Sequence, residues 1–147
     1  MRQKIKMLEI FKEVDELVLL ARKIERDAII EEIKKELAEV MLWHKKTFKD
    51  ATVGGQLLKL EEEYKELAEA VENENEEETF KEIADVLIVC AGLVRLGSMI
   101  GKINIEATLD TMDIKELYNA LEAIRSKMEI NRARKWDKLK DGRFKHK

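Results

Sequence analysis

Two stretches decide the fold: LEEEYKELAEAV, Leu60 to Val71, and FKEIADVLIVCAGL, Phe80 to Leu93. In the first, Leu60, Tyr64, Leu67, Ala68 and Val71 recur at steps of three and four, the spacing of one helical face. The second is apolar on nearly every side, the mark of a central, buried helix. ENENEEET, residues 72–79, reads as a polar turn between them, with Thr79 or the residues just before it as the cap of the second helix. So short a link lets the two helices pack antiparallel.

The helical pattern continues outward. In residues 2–25, Ile5, Leu8, Phe11, Val14 or Asp15, Val18 and Ala21 fall near helical spacing. In residues 27–46, Ile29, Ile30, Ile33, Leu37, Val40 and Met41 do the same. These stretches fit one long helix or two. KDATVGG, residues 49–55, breaks the pattern, with Thr52 or the Gly54-Gly55 pair marking a loop. A helix over Gln56–Glu72 follows, then one over about Phe80–Met99. Residues 97–112 form a mixed connector with room for a short helix. Asp113, with Glu116 three residues on, has the form of a capping box. It opens a last helix that runs to about Trp136 and leaves a basic tail. The expectation is an all-α bundle of about five helices in a single domain, 1–147. Its parts would be N-terminal helices (1–46), a helical core (47–136) and a tail (137–147).

Composition agrees. The chain has 147 residues, no proline and few aromatics, and it is 45% apolar and 40% charged. That suits amphipathic helices and disfavours β-rich architectures. Cys90 is the only cysteine, so no intrachain disulfide can form. Its apolar surroundings make it a small buried hydrophobe rather than a nucleophile, and a lone thiol fits a reducing, cytoplasmic setting. ADVLIVCAGLV, residues 84–94, is too short to span a bilayer, and no signal-peptide pattern is visible at the N-terminus. Residues 131–147 hold eight Lys/Arg against Asp137 and Asp141, within a chain of net charge −3. The body is therefore acidic, which disfavours nucleic acid as a partner.

Against that background the acids stand out. Residues three apart on a helix are surface neighbours. Glu63 and Glu66 therefore project side by side, and so do Glu82 and Asp85 on the next helix. Two like charges about 4 Å apart repel by roughly 4 kcal/mol at an effective dielectric near 20. A divalent cation would remove that cost, and hard oxygen ligands favour Mg²⁺, with Mn²⁺ as a substitute. An isolated E-x-x-E is usually a solvated helix face, as Glu72–Glu78, Glu61 and Glu69 are read to be. Here two acidic pairs lie on adjacent helices, and the second borders a run too apolar to face water.

Glu62, Glu63 and Glu66, followed after fifteen residues by Glu82 and Asp85, match E-E-x-x-E…E-x-x-D. The chain thereby resembles the all-α nucleoside triphosphate pyrophosphohydrolase superfamily: MazG-like enzymes, dimeric dUTPases and phosphoribosyl-ATP pyrophosphohydrolases. WHKKTF, Trp43 to Phe48, and KMEINRARKW, Lys127 to Trp136, with DGRFKH after it, are similar to flanking elements of phage and bacterial MazG-like members. The likeness covers about residues 40–147. It implies a MazG-like bundle whose central antiparallel pair carries the acids, with Glu63, Glu66, Glu82 and Asp85 as metal ligands. Glu62 would stand behind them or help position water, so that Glu62 and Glu63 are the acids closest to catalysis. The implied reaction is hydrolysis of a (d)NTP to the monophosphate and pyrophosphate, in nucleotide-pool cleansing or dNTP metabolism. Such proteins form homodimers or homotetramers, and residues 2–46 are candidates for the contact.

Pyrophosphate as leaving group needs positive charge over the β and γ oxygens. Lys127, Arg134, Lys135 and Arg143 are the candidates. Asn131, one turn after Lys127, could bond phosphate or sugar, and Trp136 could stack on a base, although a core or interface role suits Trp43 and Trp136 as well. His44 and His146 read as surface residues, and the tail from Lys138 as a loose, solvated end. The competing function is a catalytically silent helical protein of the same fold that binds nucleotide or a partner.

Overall fold

A computed structural model describes residues 2–147. Five helices follow one another: α1 (Arg2–Thr47), α2 (Val53–Glu72), α3 (Glu76–Arg95), α4 (Met99–Asp110) and α5 (Ile114–Ala133). A small hairpin closes the chain, β1 (Trp136–Lys138) and β2 (Phe144–His146). The architecture is all-α, with α3 at its centre and α1, α2, α4 and α5 packed around it.

The N-terminal periodicity is one helix, not two. No glycine or proline interrupts residues 2–47, so nothing breaks the hydrogen-bond ladder across Arg26 and Asp27. The two halves of α1 differ in surroundings. Every residue from Arg2 to Glu25 is exposed. From Ile29 onward, Ile33, Leu37, Val40 and His44 turn one face into the protein. The join is held by Arg26, whose guanidinium donates to the carbonyls of Met112 and, at 3.0 Å, Leu109 at the end of α4. They lie at the C-terminal end of α4, where carbonyls run out of i+4 helical partners.

Helix α3 buries ten residues in its twenty, including the unbroken run Val86–Leu93. On one side Ala84, Leu87, Ile88 and Ala91 join α1 and α5 through Ile33, Leu37, Leu117, Ile124 and Met128. On the other, Val86, Val89, Cys90 and Leu93 meet Leu60 of α2. Local signals set the ends. Asn75, not Thr79, caps α3 by accepting from Glu78 N at 3.1 Å, so the helix starts earlier than its apolar pattern suggests and ends at Arg95. Glu76, Glu77 and Glu78 fill its first turn, where the helix dipole favours negative charge. Thr52 caps α2 through Gly55 N at 3.1 Å. Asp113 and Glu116 make the reciprocal capping box that opens α5. The connector after α3 is largely the short helix α4.

The C-terminal segment departs from expectation. It is not a loose end: Trp136 pairs with His146 and Lys138 with Phe144 in an antiparallel hairpin. Phe144 packs on Phe48 with centroids 4.3 Å apart, and Lys138 Nζ donates to Asp50 O at 2.9 Å. The hairpin is thus moored on the α1–α2 connection. Helix α5 ends at Ala133, three residues short of Trp136.

Candidate active site

Glu63 and Glu66 stand one turn apart on α2, and Glu82 and Asp85 one turn apart on α3. Packing α2 against α3 brings the pairs together, so that one oxygen from each of the four lies within 4.8 Å of the others. Glu63 and Glu82 are buried, Asp85 is half-buried, and Glu66 opens to solvent. Two of the buried oxygens, Glu63 Oε2 and Glu82 Oε2, have no hydrogen-bond partner. Buried carboxylate oxygens are rarely left so.

The proton balance reflects the crowding. Burial first, then the charges of Asp85 and Glu66, push the Glu63 carboxyl up to about 7 against the pull of Lys59. Glu82 rises to about 8 through burial, a hydrogen bond with Glu78 and the neighbouring acids. Asp85 is also raised by burial, but Lys127 opposes the rise. Lys59 Nζ sits 3.1 Å from Glu63 Oε1, and Lys127 Nζ 3.3 Å from Asp85 Oδ2. Two lysines thus neutralise part of the charge of four acids. The donor set is all carboxylate oxygen, with two atoms unclaimed and one face open. This fits a hard divalent cation of the Mg²⁺ or Mn²⁺ type.

The acids form one end of a cavity of roughly 520 Å³. Its other end is aromatic. Phe48 packs edge-on against Trp43 (5.2 Å) and Trp136 (5.3 Å), and Phe144 of the hairpin adds a further wall. Between the two ends stand Lys127, Asn131, Arg134 and Arg143. Buried His44 lies beneath the aromatic end. Arg95 donates to its Nδ1 from Nε at 3.1 Å, so Nδ1 is the acceptor and Nε2 carries the hydrogen. Burial and the Arg95 charge hold the imidazole down at about 4, hence neutral. Its Nε2 lacks a hydrogen-bond partner, as does the buried Trp136 Nε1. Gly92 makes room for the imidazole: a Cβ there would stand 2.7 Å from His44 Nε2.

Residues 52–117, which contain all four clustered acids, match the family model of the MazG nucleotide pyrophosphohydrolase domain. The match covers somewhat under half of the chain and supports its assignment to the MazG-like superfamily. No curated protein and no solved structure matches it.

The structure places the sequence-predicted residues of this MazG-like chain as follows. Glu63, Glu66, Glu82 and Asp85 converge. Glu62 lies beside them but outside the cluster, half-buried and bound by Arg143 Nη1 at 3.2 Å and Lys59 Nζ at 3.5 Å. Lys127 reaches the cluster through Asp85. Asn131 is buried rather than on an open face, accepting from Arg134 Nη1 at 3.4 Å. Arg134 leans over Trp136 with its guanidinium carbon 6.0 Å from the ring centroid. The surface reading of His44 is corrected: it is 3% exposed, because Ile33, Leu37, Val40 and His44 follow one helical stripe. That spacing was the signal that could have found it. Three residues went unread: Lys59, Gln56 and Arg95. Lys59 lies four before Glu63, an i,i+4 pair visible in principle. Gln56 and Arg95 carry no local signal, since the residue both stand against, His44, comes from another helix.

Proposed function

We propose that this chain hydrolyses nucleoside triphosphates, deoxynucleotides included, to the monophosphate and pyrophosphate with Mg²⁺, Mn²⁺ serving as substitute. The observation that carries this reading is the convergence of four carboxylates, two of their buried oxygens unclaimed, at one end of a cavity whose other end is aromatic. The MazG domain match supports the same class. Glu63, Glu66, Glu82 and Asp85 would hold the cation, which when bound polarises a phosphoryl oxygen, lowers the pKa of water and orients the phosphates.

The chain's own side chains supply the rest. Lys127, Arg134 and Arg143 line the middle of the cavity, where they would meet the β and γ oxygens and offset the charge that grows on departing pyrophosphate. The bond broken joins the α-phosphorus to its bridge to the β-phosphate, and the water oxygen takes its place. Glu62, held between Lys59 and Arg143, is fixed beside the cluster and suited to orient that water. Trp43 and Trp136, with buried Phe48 packed between them, offer flat faces to a base. Asn131, anchored by Arg134, supports the phosphate and sugar end. Such a chain would work in the cytoplasm as a homodimer or homotetramer.

The test is product analysis. Purified protein with Mg²⁺ is offered a panel of NTPs and dNTPs, and monophosphate and pyrophosphate are measured separately. Equimolar release of the two is expected from at least one nucleotide. Diphosphate and phosphate as products, or nucleotide binding without turnover, would contradict the reading.

A further inference from the structure

The first half of α1 is exposed, its Glu25 accepting from the Tyr118 hydroxyl at 3.5 Å, yet it is not built for solvent. Met7, Ile10, Val14, Leu17, Ala21 and Ile24 alternate at steps of three and four over three heptads. That is the seam of a coiled coil. Leu17 is 65% exposed, Ile24 61% and Phe11, beside the seam, 58%. At 3.6 residues per turn the seam points roughly away from Arg26, Ile29 and Ile33, the residues that α1 turns to the rest of the protein. A helix laid along the seam would therefore clear the bundle.

Charge selects the occupant. Lys4 and Lys6 flank the N-terminal end of the seam, and Glu25 and Asp27 flank its other end. Phe11, Val18 and Leu20 border its middle, with Glu13 among them. A second copy running parallel would set Lys6 against Phe11, Glu13 against Val18 and Leu20 against Glu25, with no ion pair across the seam. Running antiparallel, it sets Lys6 beside Asp27 and Lys4 beside Glu25 at both ends, and the same register lays Val14 against Leu17, Ile10 against Ala21 and Met7 against Ile24. The contact is self-complementary, as a two-fold interface must be. A lipid surface fits less well, because membrane-lying helices carry Lys/Arg on the polar face, whereas Glu9, Asp15 and Glu16 are interleaved with the lysines here.

We infer that residues 4–27 of α1 form an antiparallel two-stranded coiled coil with the same segment of a second copy of this chain. The contact is independent of the catalytic reading, since it uses none of the pocket residues.

The test measures assembly of the full chain by sedimentation and light scattering. Leu17→Lys, at an exposed site, should convert a dimer to monomer or a tetramer to dimer without loss of helical signal. Lys6→Glu should weaken assembly about tenfold, and Asp27→Lys in the same chain should restore it. A spin label on Ile5→Cys reads direction, since Cys90 is buried: two labels should be offset by roughly 30 Å along the axis, from the helical rise, and by almost nothing in a parallel pair. A monomeric wild type, assembly unchanged by Leu17→Lys, no restoration by Asp27→Lys, a short label distance, or monomeric binding to phosphatidylserine vesicles would each overturn the inference.

Discussion

Lys127 Nζ stands 3.3 Å from Asp85 Oδ2, an ion pair that joins α5 to the acidic cluster on α3. It places a cation next to the proposed metal ligands, where it both restrains Asp85 and competes with a metal for it. Lys127→Ala should leave Mn²⁺ affinity equal or tighter, because a competing positive charge is gone. Turnover should nevertheless fall by about 10²-fold, the usual scale for losing a charge-stabilising donor. Calorimetric metal titration beside steady-state kinetics separates the two effects. Weaker metal binding with unchanged kcat would mean that Lys127 only organises the ligands.

The raised carboxyls make a pH prediction. A carboxyl whose folded pKa lies above its unfolded value of 4.5 holds its proton longer in the folded state. The unfolded chain then binds fewer protons, and stability falls as pH rises. For Glu63, at about 7, and Glu82, at about 8, the falling window runs from about 4.5 to 8. His44 acts oppositely: held down at about 4 from 6.5, it adds stability as pH climbs through that interval. Between pH 6.5 and 8 the acids act alone, so metal-free protein should lose thermal stability there. Mg²⁺ should raise Tm more at pH 8 than at pH 6. Melting curves with EDTA and with Mg²⁺ test this, and an Mg²⁺ increment independent of pH would argue against a shared site for the two acids.

Gly55 touches the hairpin so closely that a Cβ there would lie 2.1 Å from Gly142 O. Gly142 itself adopts φ of 90°, which disfavours side chains. Gly55→Ala should therefore push the hairpin off α2 and carry Arg143 away from Glu62. The expected outcome is a several-fold rise in nucleotide KM and faster proteolysis after Trp136, with the helical signal intact. Limited proteolysis and kinetics on the same preparation provide the check. Unchanged KM would remove the hairpin from the substrate site.

Much of this was legible in the residues themselves. The acids could be paired because both i,i+3 motifs lie on helices joined by a short turn, which leaves their packing little freedom. The core of α3 could be read because a run apolar on all sides has nowhere to go but inside. The hairpin could not, despite the Asp141-Gly142 turn signal, because its mooring depends on Phe48, Asp50 and Gly55, remote in sequence. His44 was misread because Lys45 and Lys46 beside it suggest a surface, while its stripe partners lie four and seven residues back. The continuity of α1 rested on the absence of a breaker, which periodicity alone does not reveal.

The central claim is that Glu63, Glu66, Glu82 and Asp85 jointly hold a divalent cation. Electron paramagnetic resonance of Mn²⁺, titrated into the protein with and without a non-hydrolysable nucleotide, tests it most directly. Saturable loss of the free-Mn²⁺ signal is expected for the wild-type chain, weakened at least tenfold by Glu82→Gln with the fold retained. Absence of bound Mn²⁺ under both conditions, or the same binding in Glu82→Gln, would contradict it.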